Sequence, residues 1–228
     1  MTAVMEGEAA HHLGRVLRAQ AGQLYELSDG QRVWLSRIES ASRDRVEFAL
    51  VEELPAYLPK LDVTLLLAVV KFDAFEWALE KATELGVTQI VPLAAARSEK
   101  GLLAAVAKRR ERWQKILLEA SQQSRRVRLP ILGELSLPEK AFADQKSSRC
   151  VMLSERPNAP SLREVLNTTG SATNATLAIG PEGGWIDVEI AAARAAGFAE
   201  ASLGKLILRT ETAVIAALAA INYALGSD

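Results

Sequence analysis

Several things are scarce in this chain, and each scarcity excludes a class of protein. There is one cysteine, Cys150, and there are two histidines in 228 residues. One thiol cannot close an internal disulfide, and with two histidines it cannot build a Cys-rich zinc site. No spacing of His, Cys and carboxylates suggests any other metal site. Long apolar runs are missing too. The longest uncharged one lies near Ala213–Leu225, short of the roughly 20 residues a spanning helix needs. The stretch Met1 to Glu8 carries acids and no apolar core, so it does not read as a signal peptide. A cytoplasmic protein with no membrane partner is the expectation. Neither sign of charge dominates: 27 basic residues face 28 acidic ones, net −1. That total excludes a uniformly basic protein that coats nucleic acid.

What is present is ordinary globular material, 49% hydrophobic and 24% charged, enough for a core without staples. Residues 1–53 are β-rich. Leu24–Leu27 and Val33–Ile38 flank Ser28-Asp29-Gly30, a hairpin-type turn, and Val46–Val51 alternates as a third strand. Pro55 and Pro59 bracket a linker. Beyond it, strands and helices alternate. Val63–Val70 is a continuous apolar run, as in a strand buried on both faces. Phe72, Phe75, Leu79, Ala82 and Leu85 follow at helical spacing, with Gly86 placed to end the helix. Short strands are expected at Val87–Pro92, Cys150–Leu153, Thr176–Ile179 and near Ala201–Leu203. Helices are expected at about Leu102–Ser124, after Pro160 as the N1 residue, at Asp187–Ala196 and at Thr210–Leu225. This order predicts an α/β fold, a mainly parallel sheet with helices on both faces.

The small net charge conceals a local excess. Residues 1–60, 61–96 and 129–228 are each mildly acidic, at −2, −3 and −3, whereas residues 97–128 hold 10 basic and 3 acidic side chains, net +7. A solvated helix face accounts for such a run. So does a surface that tracks phosphates.

Two loops carry the sharpest local signals. Ile179-Gly180-Pro181-Glu182-Gly183-Gly184-Trp185 leaves one strand and enters a helix. Ligands of open α/β sheets bind at such strand ends, where glycines let backbone approach them. A tight structural turn is the plainer account. The pattern matches neither the dinucleotide fingerprint nor the P-loop. Leu203-Gly204-Lys205-Leu206-Ile207-Leu208-Arg209-Thr210-Glu211-Thr212-Ala213 likewise joins a strand to a helix. There Thr210 is the candidate cap. Arg209 and Glu211 read either as a capping ion pair or as a substrate-facing cation beside an acceptor.

Five blocks in order resemble one family. They are His12-Leu13-Gly14-Arg15-Val16-Leu17-Arg18 with Asp29-Gly30; Lys81 to Pro92 with Arg97-Ser98; Glu119-Ala120, Gln123-Ser124, Arg126 and Pro130; Gly180 to Gly184; and Ile207 to Ala213. Together they resemble the RsmE family of SPOUT-class methyltransferases, which methylate N3 of one uridine in 16S ribosomal RNA. The resemblance implies a PUA-like β-barrel over residues 1–55, its opening strand shortened before Met1. It implies a SPOUT domain over residues 61–228 with a C-terminal trefoil knot. It also implies a homodimer acting on the small ribosomal subunit, with S-adenosylmethionine as cofactor and no metal.

Carried over residue by residue, the resemblance assigns the cofactor to Leu153, Ile179, Gly180, Glu182, Gly183, Gly184, Leu203, Gly204, Leu208 and Thr212. It assigns RNA contacts to Arg18, Lys71, Arg97, Gln123, Arg125 and Arg126. Arg209 becomes the catalytic cation, and Glu211 its orienter or the base. Three positions depart from the family pattern: Ala74 and Leu206 replace basic residues, and Arg125 stands where glycine is usual. Two alternatives stay open: a SPOUT enzyme acting on a ribose 2′-oxygen or guanine N1, and a non-catalytic RNA-binding or ribosome-assembly protein.

Overall fold

Alternating apolar and polar residues build the N-terminal unit, Met1–Leu58. Its strands are β1 (Thr2–Glu6), β2 (Leu24–Ser28), β3 (Val33–Ala41) and β4 (Arg45–Leu54). They form an antiparallel sheet in the order β1-β4-β3-β2. The Asp29 carboxylate accepts the amides of Gln31 and Arg32, at 2.8 and 2.7 Å, and so sets the β2–β3 turn. Two local elements escape sequence patterning: the single turn α1 (Glu8–His11) and a π-helical turn at His12–Val16. Each is too short to show a period. They nevertheless bring Ala10 and Leu13 onto Ile38, Val46 and Phe48, and these residues form the unit's core.

The second unit, Pro59–Asp228, is an α/β layer structure. The computed structural model describes residues 1–56, 59–167 and 172–226; Tyr57 and Leu58 of the expected linker lie outside them. The strands are β5 (Asp62–Ala68), β6 (Gln89–Leu93), β7 (Ile131–Leu132), β8 (Arg149–Leu153), β9 (Asn174–Ile179) and β10 (Ala199–Ala201). All pair in parallel, in the order β10-β8-β9-β5-β6-β7. Central β5 shows why its sequence is apolar throughout. Leu65 and Leu67 enter one core, and Leu66 and Ala68 enter the other.

Helices cover both faces: α2 (Phe72–Glu84), α3 (Lys100–Gln123), α4 (Pro138–Ala143), α5 (Leu162–Leu166), α6 (Asp187–Ala195) and α7 (Thr210–Leu225). Residues of α2, α3, α5 and α7 pack in the first core, where Phe75 stacks on Trp113 at 4.5 Å. Residues of α4 and α6 pack in the second. Gly86 follows α2 with φ +89°, as a terminating glycine should. At the end of α3 the same left-handed role falls to Arg125, φ +54°, which explains physically why glycine suits that position.

Three expectations need correction. Helix α5 is capped by Ser161 in a capping box with Glu164, so Pro160 precedes the cap. Helix α7 has Arg209 at its N-cap, and Thr210 is its first residue. Strand β10 begins two residues before its expected start, because Gly197 (φ +83°) turns the chain directly from α6 into the sheet.

Candidate functional site

Strands β10, β8 and β9 are neighbours, and because they are parallel their carboxyl ends share one edge. The loops leaving these ends enclose a cavity of about 440 Å³. The loop after β8 supplies Leu153 to Pro157, the loop after β9 supplies Ile179 to Trp185, and the loop after β10 supplies Ser202 to Leu208. The volume falls within the usual range of small-molecule sites, about 300–1,000 Å³.

Trp185 pins two of these walls together. It is buried, and its indole Nε1 donates to the Leu153 carbonyl at 2.9 Å. Its ring lies so close to Gly180 that a Cβ there would sit 2.9 Å from it. Glycine at position 180 is therefore a packing requirement as well as a turn. Phe142 meets the indole edge-on at 5.8 Å and anchors it in the second core. The tip of this loop closes as a turn, the Gly184 amide donating to the Pro181 carbonyl at 2.8 Å. Gly184 itself has φ +71°.

A brace from β6–α3 holds that tip. The Arg97 guanidinium donates to the Gly183 carbonyl, and its aliphatic stem lies where a Gly183 side chain would project. Glu189 fixes the segment bearing Arg97. Its carboxylate is almost wholly buried and accepts the Ala96 amide at 2.8 Å and the Ile186 amide at 3.0 Å. Glu189→Gln keeps the shape but turns one acceptor into a donor facing an amide. It should lower stability by about 1–3 kcal/mol, read as a fall in the urea midpoint. An unchanged midpoint would show that the brace carries no load.

Glu200 steadies the β8 wall. It pairs with Arg194 at 2.9 Å and with Arg156 at 3.9 Å. Burial pushes its carboxyl up, but hydrogen bonds from Ser154 and Arg194 and the charge of Arg156 outweigh it. The net result holds Glu200 below the usual carboxylate range. Among the described residues, no three of His, Cys, Asp and Glu cluster as metal ligands.

The chain is similar to known proteins. Residues 57–222 match the model of an RNA methyltransferase domain, and residues 6–51 match an RNA methyltransferase PUA domain. Ribosomal RNA small subunit methyltransferase E of Synechocystis is 38% identical, across 95% of this chain and 71% of its own length. The Bacillus subtilis protein of the same name is 31% identical, across 95% and 88%. The chain belongs to this methyltransferase E family.

Two solved structures extend the likeness. The Neisseria gonorrhoeae methyltransferase E, bound to S-adenosyl methionine, superposes with TM-score 0.89 at 31% identity, covering 99% of this chain and 93% of that one. A putative Legionella pneumophila methyltransferase in complex with the same cofactor gives TM-score 0.90 at 28% identity, covering 100% and 94%. The SPOUT-class layer fold and the PUA-like unit expected from sequence are those of the methyltransferase E family.

In this family member the structure gathers most of the expected cofactor residues. Leu153, Ile179, Gly180, Glu182, Gly183, Gly184, Leu203, Gly204 and Leu208 all line the cavity. Thr212 does not; it is exposed on α7. Thr210 and Ala213, three residues apart and hence on one helical face, line the cavity instead. Arg209 is exposed and Glu211 is half-buried at the entrance to α7, outside the lining. Among the described residues the two form no ion pair with each other.

The expected RNA residues separate into two groups. Arg18, Lys71, Gln123 and Arg125 are exposed. Arg97 lines the cavity, and Arg126 is half-buried, donating to the Thr83 carbonyl at 2.7 Å. That bond, with the one from Asn222 to the Leu85 carbonyl, satisfies the C-terminal end of α2. The cofactor assignment made from sequence omitted Trp185, Thr210 and Ala213, although all three line the cavity. Only Trp185 carried a signal: a tryptophan beside a glycine loop, whose N–H must find an acceptor if buried.

Proposed function

We propose that this chain uses S-adenosylmethionine to methylate N3 of one uridine in the 16S ribosomal RNA of the small subunit. The observation that carries the reading is the cavity at three adjacent strand ends, built from the loops that the family resemblance assigns to the cofactor. Its size suits such a ligand, and its walls offer backbone groups at Gly180, Gly183, Gly184 and Leu203 to hold adenine and ribose. Glu182 is exposed on the glycine loop and lines the cavity. The cofactor supplies an electrophilic methyl group on a sulfonium.

The chain's own part is to bind, orient and stabilise. Uridine N3 must lose its imide proton before or during attack, and negative charge then spreads to the flanking carbonyl oxygens. Arg209, held at the head of α7, is the cation for that charge. Glu211 orients Arg209 or accepts the proton. Arg18, Lys71, Gln123 and Arg125 are exposed, where RNA can reach them.

The reading includes a trefoil knot formed by the cavity loops, a homodimer, and a place in the cytoplasm with the ribosome. Leu206, Ile207 and Tyr223 are 82%, 80% and 93% exposed, an apolar display that a second copy would cover. No helix among the described residues is long and apolar enough to cross a membrane.

The test is to incubate purified small subunits with this chain and S-adenosylmethionine, then digest them to nucleosides for mass spectrometry. The expected product is 3-methyluridine at a single position. A 2′-O-methylated nucleoside or 1-methylguanosine would replace this target with another, and no product would overturn the enzyme reading.

A further inference from the structure

The N-terminal unit is acidic, yet its cations are not evenly used. Residues 1–58 contain six arginines and no lysine against nine carboxylates. Arg37 pairs with Glu39, and Arg45 with Glu6 and Glu47. Arg32 sits in the turn beside Asp29, whose carboxyl its amide and charge help hold below the usual range. Arg15, Arg18 and Arg43 make no ion pair among the described residues.

Two of these unpaired cations share a place. Arg15 and Arg43 line one open concavity of about 530 Å³, together with Gly14, Ala19, Ala41 and Ser42. They come from distant parts of the sequence, the π-helical turn and the β3–β4 connection. The two backbones are pressed together there: a Cβ on Gly14 would lie 2.9 Å from the Ser42 carbonyl oxygen. Both carriers are tied by hydrogen bonds. The Ser42 amide and hydroxyl both donate to the Arg45 carbonyl, at 2.8 and 2.9 Å, and the Leu17 amide donates to His12 at 3.1 Å. Asp44, next to Arg43, is the nearest carboxylate in sequence, and it forms no ion pair with Arg43.

The basic segment 97–128 offers a contrast. Most of its ten cations are engaged within the chain. Arg97 and Arg126 bind carbonyls, Arg110 binds the Leu132 and Gly133 carbonyls and Glu134, and Arg109 and Arg112 flank Glu76. A high local charge therefore does not mark the freest cations.

We propose that the Arg15–Arg43 concavity is a phosphate site for the backbone of the substrate RNA. This rests on the RNA methyltransferase reading above and adds two residues to the RNA contacts that it names. Two guanidiniums on pre-formed turns around a concave floor suit a phosphodiester, which guanidinium forks bind in bidentate fashion. Surrounding carboxylates would repel RNA elsewhere on this unit, so the pair also orients the strand. Phosphate contacts of this kind set register without reading sequence.

The test compares the full chain with the double variant Arg15→Ala/Arg43→Ala on a 16S RNA fragment across 50 to 200 mM KCl. Two lost contacts should make the log–log salt slope shallower by about 1.4. The affinity advantage of the unmodified chain should therefore shrink about sevenfold across that range. The charge-preserving Arg15→Lys/Arg43→Lys should keep most of the slope. Far-UV circular dichroism and S-adenosylmethionine affinity should be the same in all three proteins: the first reports that the N-terminal sheet is folded, the second that the unit bearing the cavity is intact. If the unmodified chain binds and methylates the RNA but the alanine variant shows the same affinity and slope, the phosphate site is wrong and the enzyme reading stands. If the unmodified chain neither binds nor methylates RNA, the enzyme reading fails, and the site falls with it.

Discussion

Trp185→Ala should lower stability by about 3–5 kcal/mol and abolish tight cofactor binding. Three losses combine. A large buried side chain leaves the second core, where Phe142 packs against it. The Leu153 carbonyl loses its indole donor and is left short of a partner in a buried setting. Gly180, which lies against the ring, loses the surface it rests on. Trp185→Phe separates the terms in part: it keeps much of the ring packing but removes the hydrogen bond and leaves the Leu153 carbonyl unpaired, at about 1–3 kcal/mol. Urea denaturation and calorimetric titration with S-adenosylmethionine measure the two effects. Wild-type cofactor affinity in Trp185→Ala would mean that the walls hold without their pin.

Arg209→Ala should reduce the single-turnover rate by about 10²–10³-fold while leaving cofactor affinity nearly unchanged. The separation follows from position. Arg209 is exposed at the N-cap of α7 and does not line the cavity, so its removal takes nothing from the cofactor's surroundings. Its guanidinium makes no side-chain cap bond, so the helix loses little. Arg209→Lys retains the charge but not the planar fork and should fall between the two. Full single-turnover activity in Arg209→Ala would remove the residue from catalysis and shift attention to Lys205, the other cation on that loop.

Much of this architecture was legible in the residues, for identifiable reasons. Val63–Val70 is apolar at every position because β5 is packed on both faces. The glycine loop announced a strand exit, and the cavity is there. Helix α7 ends at Leu225, where Gly226 predicts it should. What escaped was of two kinds. Very short elements, such as the π-helical turn and two-residue β7, carry no period to detect. Contacts between distant residues were the other kind. Trp185 reaches Leu153, and Arg126 reaches Thr83, and neither pairing leaves a trace in local spacing. Arg126 shows the cost of reading charge alone, because a guanidinium in a basic run suggests phosphate while this one closes a helix. Thr212 failed on phase: its neighbours at 210 and 213 face the cavity, and one step along a helix turns a side chain by about 100°.

The cavity walls begin at positions 153, 179 and 203, so no short stretch of chain contains the site. It comes into being only when β8, β9 and β10 lie side by side. A ligand that fills it therefore binds the native protein and has nothing comparable to grip in the unfolded chain. By mass action, ligand at a hundred times its Kd adds about 2.7 kcal/mol to folding stability. With S-adenosylmethionine as that ligand, as proposed above, the strand order that creates the pocket makes the cell's supply of methyl donor a determinant of how long this protein survives unfolding and proteolysis.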